Sequence, residues 1–123
     1  MTLEEELSEA YRTSGATAAL ARYHELRDRY YGAGAYDFRE GALSDFADEL
    51  AEGKDHEGAI AVLRLNASEF PQSSEAWESL AEAYRTAGNR DVAAIYYRKS
   101  LEIDPQNGSA LEKLRKLEEK KAP

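Results

Sequence analysis

An all-α fold of antiparallel helical hairpins stacked side by side is predicted by three observations in these 123 residues. The first is a duplication. Leu43, Phe46, Ala47 and Leu50 reappear 34 residues later as Trp77, Leu80, Ala81 and Tyr84. Ala59, Leu63, Asn66 and Pro71 reappear at the same offset as Ala93, Tyr97, Ser100 and Pro105. The second is the spacing inside each copy. Residues three and four apart share a helix face, so each copy holds two amphipathic helices. The third is punctuation. Gly88-Asn89 separates the two helices of the later copy, and Asp104-Pro105 ends it, because a residue before proline is pushed out of the helical region. One such hairpin leaves an apolar face uncovered, and stacking copies hides it.

Taken in order, the chain begins with Thr2-x-x-Glu5, the pattern of a capping box. Leu3, Leu7, Ala10 and Tyr11 then trace an apolar stripe, and Gly15 ends the first helix. The span 16–31 reads as a second helix with Ala19, Leu20, Tyr23, Leu26 and Tyr30 on one face. Leu7, Ser8, Tyr11 and Gly15 fall where Leu80, Ala81, Tyr84 and Gly88 fall in the clear copy. Leu20 and His24 stand where an alanine and an aromatic are expected, so 1–34 reads as a degenerate first repeat. Gly32-Ala33-Gly34 breaks the helix, and 35–39 is an insertion. Its Tyr36 and Phe38 either fill the seam between the first two hairpins or join Tyr30 and Tyr31 in an exposed aromatic patch. Residues 40–73 form the second repeat, with a turn at Glu52-Gly53-Lys54-Asp55 and Asp55 as an N-cap. Residues 74–107 form the third. Ser109 then caps a terminal helix within 108–121 whose apolar stripe is Leu111, Leu114 and Leu117. Seven helices in one domain over 1–123 result.

The order Trp77, Leu80-Ala81, Tyr84, Ala93, Tyr97, Pro105 resembles the tetratricopeptide repeat. The resemblance implies a short right-handed solenoid in which the first helix of each pair lines a concave, partner-binding face. Carried over position by position, that face takes Gly41, Ser44, Asp48, Ala51 and Glu52 from the second repeat. From the third it takes Glu75, Glu78, Glu82, Arg85 and Thr86. The side chains expected to meet a partner are Ser44, Asp48, Glu52, Glu75, Glu78, Glu82 and Arg85. Family members that hold the acidic C-terminus of a chaperone use Lys and Asn at such places. Here Asp48 and Glu82 replace Asn and no Lys is present, so that mode is not expected. An acidic cleft attracts a basic or amine-bearing segment and repels an acidic one. The alternatives are that these carboxylates only keep the surface soluble, or that the terminal helix fills the groove. Leu63 is expected inside. Glu78 is expected outside, where its removal costs less than about 0.5 kcal/mol.

Longer stretches, Tyr36 to Leu43, Ala59 to Asn66, Phe70 to Ser73 and Trp77 to Tyr84, are similar to the repeat segment that follows bacterial serine hydrolase domains of the beta-lactamase-like class. That similarity spans roughly residues 17 to 117 and implies a bacterial accessory module. Its catalytic serine and lysine have no counterpart here.

Catalytic patterns are missing. No Gly-x-Ser-x-Gly elbow, Ser-x-x-Lys, phosphate-binding Gly-Lys-Ser/Thr loop or His-Glu-x-x-His occurs. His24 and Asp28, one turn apart, read as a surface pair rather than metal ligands, and His56 beside Asp55 reads as solvent-facing. Neither a cofactor nor a metal is expected, and the chain is not expected to be an enzyme. A net charge of −8 argues against nucleic acid and against an anionic membrane surface. No apolar run approaches the about 18 residues a spanning helix needs. With no cysteine and an acidic N-terminus, a cytoplasmic protein is expected, or an exported one if the chain is a piece of a secreted hydrolase. Three functions follow as expectations. They are a non-catalytic interaction module for a peptide or protein, an accessory segment of a hydrolase, and a self-associating homodimer.

Overall fold

The computed structural model describes residues 2–30 and 40–121. Among them it forms six helices and no strand: α1 (Leu3–Tyr30), α2 (Glu40–Glu52), α3 (His56–Glu69), α4 (Ser74–Thr86), α5 (Arg90–Ile103) and α6 (Gly108–Lys121). The all-α expectation holds. The expected seventh helix is accounted for within α1, which breaks at Gly15 (φ 86°, ψ −174°). A straight helix would set residues 6 and 22 about 24 Å apart at 1.5 Å per residue. Arg22 instead meets Glu6 at 2.8 Å, so the chain folds back at Gly15 into two arms. Only glycine holds that backbone without strain. Gly15→Ala is expected to cost about 1–3 kcal/mol by backbone strain alone, since a Cβ there meets nothing within 4 Å. A denaturant midpoint unchanged from the native chain would contradict it.

The helices group into two compact units, 1–62 and 63–123, divided inside α3. In the first unit, Leu7, Tyr23, Leu26, Leu43, Phe46, Leu50 and Val62 are buried. The capping box forms, with the Glu5 amide donating to Thr2 Oγ1 at 3.1 Å and the Thr2 amide to Glu5 Oε2 at 3.3 Å. Asp55 caps α3 by accepting from the Gly58 amide at 2.9 Å. α1 packs on α2. There Ser8 donates to Glu49 at 3.0 Å, and Tyr11 packs edge-on against Phe46 with ring centres 6.1 Å apart.

The poor match of the first repeat's second helix is corrected by burial. Ala19, Tyr23 and Leu26 are buried, while Leu20 is half-buried and His24 exposed. Ala19 and Tyr23 therefore do the work of Ala93 and Tyr97, one residue earlier than a fixed count from Leu7 predicts. The turn at Gly15 is one residue shorter than the turn at Gly88, which shifts everything after it. Lys54 (φ 70°) stands at the second repeat's equivalent of Gly88 (φ 92°), so the same left-handed turn forms there on a residue that bears it at some strain.

In the second unit, α4 packs on α5 and α5 on α6. Ala81, Ala93, Ala94, Tyr97, Ala110, Leu114 and Leu117 form its core, with Tyr84, Tyr96 and Leu101 packed against it. Leu63 is buried as expected. Two expectations for α6 change. Its buried stripe is Ala110, Leu114 and Leu117, and Leu111 is 45% exposed, because positions 110, 114 and 117 align on one face while 111 sits about 100° around the helix from 110. Its cap is Asn107, whose Oδ1 accepts from the Ala110 amide at 3.1 Å, which releases Ser109 for another contact. Tyr84 is half-buried rather than core. It stacks on Tyr96, which stacks on Trp77, with ring centres 5.5 and 5.8 Å apart. The break at Gly32-Ala33-Gly34, the insertion and Tyr31, Tyr36 and Phe38 lie outside the described residues.

Candidate functional site

The seven predicted side chains divide between α2 and α4. On α2, Ser44, Asp48 and Glu52 recur every four residues and so run along one side of the helix. Asp48 and Glu52 are exposed and Ser44 is half-buried. Desolvation, then the neighbouring charges of Asp45 and Glu52, raise the Asp48 carboxyl above its ordinary pKa. Glu4 is raised in the same way, by desolvation and then by Glu49 and Asp45. Among the described residues, Asp45, Asp48 and Glu52 form no ion pair. Among the described residues no ion pair compensates the negative charge on this stretch of α2, and each further carboxylate costs free energy there.

On α4 the outcome differs. Glu75 is exposed. Glu78 is held from three directions, accepting from Asn107 Nδ2 at 3.0 Å, Ser109 Oγ at 2.6 Å and Lys113 Nζ at 3.0 Å. Glu82 accepts from the Tyr97 hydroxyl at 2.7 Å and from Arg85, and Lys113 stands 3.6 Å away. Asn107 Nδ2 also reaches Ser74 Oγ at 2.9 Å. Ser74 and Ser100 clasp each other there, each hydroxyl donating to the other's carbonyl at 3.0 and 2.8 Å. The structure therefore joins Glu78, Glu82 and Arg85 into one network, and the partners it adds are Asn107, Ser109 and Lys113. Sequence reasoning placed none of these three at the site and read Ser109 as a helix cap.

Burial opposes the charge on Glu78, but hydrogen bonds from Ser109, Asn107 and Lys113 outweigh it and hold the pKa below the usual carboxylate range. Glu82 behaves likewise, with Arg85 and Tyr97 outweighing its desolvation. Lys113 is desolvated too, yet Glu78 and Glu82 raise its pKa. Burial and then the Glu82 hydrogen bond raise that of Tyr97. The shifts of Glu78, Glu82 and Lys113 favour their charged forms, and that of Tyr97 favours the neutral phenol that donates to Glu82.

Glu78 with its three donors is not a free surface residue, so the expected cost below about 0.5 kcal/mol is corrected upward. Glu78→Gln is expected to cost about 1–3 kcal/mol at neutral pH. The native pKa is depressed, so this stabilisation is complete above the unfolded value of about 4.3. It is lost as pH falls through the lower native value. Between pH 6 and 3 the native chain should lose more stability than the Gln variant, which equilibrium urea titrations at each pH will show. Parallel pH curves for the two would contradict the assignment.

Among the described residues no group of three or more His, Asp or Glu is placed to hold a metal, and His24 and Asp28 are both exposed. No described helix is long and apolar enough to cross a membrane.

Residues 74–107 match the family model of the tetratricopeptide repeat. No curated protein sequence matches the chain. Three solved structures show the likeness at the level of the whole fold. The first TPR of Spaghetti (RPAP3), bound to the HSP90 peptide SRMEEVD, is 19% identical with a TM-score of 0.64, covering 98% of this chain and 91% of that one. The Sgt2 TPR domain from Aspergillus fumigatus is 20% identical with a TM-score of 0.62, covering 96% and 76%. The TPR2AB domain of yeast Sti1 in complex with pHSP90 is 21% identical with a TM-score of 0.61, covering 96% of this chain and 45% of that one. Residues 74–107 are thus a tetratricopeptide repeat, and the chain has the fold of tetratricopeptide-repeat domains.

Proposed function

We propose that this protein is a non-catalytic scaffold that binds an extended protein segment carrying basic residues. The fold supports the first half of that reading, since the similar RPAP3 and Sti1 domains are held in complexes with HSP90 or its peptide. The resemblance to segments behind serine hydrolase domains fits as well, because an accessory segment acts through contact. The second half rests on one observation, the unpaired carboxylates of Asp45, Asp48 and Glu52 along α2. A Lys or Arg side chain brought there relieves repulsion that the folded chain otherwise bears. Ser44, Asp48 and Glu52 are the residues proposed to meet the partner on α2, and exposed Glu75 is proposed as a separate contact on the second unit. Glu78, Glu82 and Arg85 take part only by exchanging their present internal partners.

Fluorescence anisotropy of the whole chain with labelled peptides tests this. A Lys/Arg-rich peptide should bind, and its affinity should fall as added salt shortens the Debye length below the about 8 Å of physiological ionic strength. An Asp48→Asn, Glu52→Gln double variant should bind it more weakly. Equal capture of an acidic peptide of the same length, or indifference to the double variant, would refute the proposal.

A further inference from the structure

We propose a second binding site of opposite sign: the cavity between the start of α5 and the far half of α6 takes a carboxylate or phosphate group. Its volume is about 460 Å³, in the range of small-ligand sites. Arg85, Arg90, Lys113 and Lys116 line it together with Leu117 and Glu119. Four cations around one opening run against a net charge of −8.

The four are not equivalent. Arg85 is spent on Glu82, and Lys113 on Glu78 and Glu82. Lys116 pairs with Glu112 at 3.3 Å, but both side chains are about two-thirds exposed, and such a surface pair contributes little. Arg90 stands apart. Its Nη2 donates to the Leu117 carbonyl at 3.0 Å, and among the described residues it meets no carboxylate. A neutral acceptor fixes the guanidinium without cancelling its charge. The remaining N–H groups keep the planar fork that suits two oxygens of an oxyanion. Lys116, tethered only weakly, can turn toward the same anion. Leu117 and the aliphatic stems of the cationic side chains form an apolar wall, so an oxyanion joined to a small carbon body fits better than a bare ion. Glu119 at the rim disfavours highly charged ligands.

The inference does not depend on the basic-partner reading, because the residues that carry it, Arg90 and Lys116, have no part in that reading and bear the opposite charge. Its test is NMR of the isotope-labelled full chain, titrated with inorganic phosphate and separately with acetate. Ionic strength is held constant with chloride. Saturable shifts are expected at amides within 88–90 and 113–119. Arg90→Met should weaken binding about tenfold and Lys116→Met several-fold. Lys99→Met, whose ammonium lies 5.7 Å over Trp77, should leave it unchanged. Tighter binding of one probe identifies the oxyanion as phosphate or carboxylate, and either supports the site. If Arg90→Met disturbs the fold, its amide dispersion will show it, and Lys116→Met carries the test. Linear, unsaturable shifts with both probes would overturn the proposal. So would unchanged curves for both cavity variants.

Discussion

Tyr97→Ala is expected to destabilise the second unit by about 3–5 kcal/mol. Tyr97 is completely buried in the cluster that joins α4, α5 and α6. Truncation removes a whole ring from a close-packed region that refills only in part. It also strips the hydroxyl from Glu82, 2.7 Å away. Tyr97→Phe separates the two effects, since it keeps the ring and should cost only about 1–2 kcal/mol. Because the chain forms two compact units, a single global transition is a poor readout. Amide hydrogen exchange reports locally, and protection within 76–100 should drop steeply for the Ala variant and slightly for Phe. A loss below about 1 kcal/mol for Tyr97→Ala would contradict the packing of these three helices.

Phe46→Ala is the counterpart in the first unit, with an expected cost of about 3–5 kcal/mol. Phe46 is buried on α2, and its edge-on contact with Tyr11 of α1 adds about 0.5–1.5 kcal/mol beyond area burial. That contact ties α1 to α2, so exchange protection should fall on both helices. Phe46→Leu, which keeps most of the volume, should cost less than half as much. Protection lost on α2 alone would show that Phe46 does not bridge the two helices.

Much of the fold was legible because its signals are local. The capping box at Thr2 and Glu5, the cap at Asp55 and the proline stop all act within one helical turn. The repeat register from 40 onward was legible because one offset of 34 aligns eight positions in both copies. That register slipped in the first repeat for a definite reason. A turn shortened by one residue at Gly15 puts Ala19 and Tyr23, not Leu20 and His24, against the core. Allowing the turn to vary in length would have recovered the match. Leu111 was assigned to the core by its residue type, yet a narrow stripe admits only one side of a helix, and Ala110 faces it.

The candidate site was legible only by halves. Exposed carboxylates on α2 follow from their spacing and from the lack of any Lys or Arg within the helix. The fate of Glu78 does not. Its partner Lys113 lies 35 residues away, and they meet because α6 settles on α5 with Ala110 inward.

The sequence by itself determined which stretches are helical and, between residues 40 and 107, which faces they bury, since each depends on residues within a turn or two. Only the tertiary structure decided which charges are consumed inside the molecule. Charges couple through space, and a rotation of α6 by one residue, about 100°, would carry Lys113 away from Glu78 and break their ion pair.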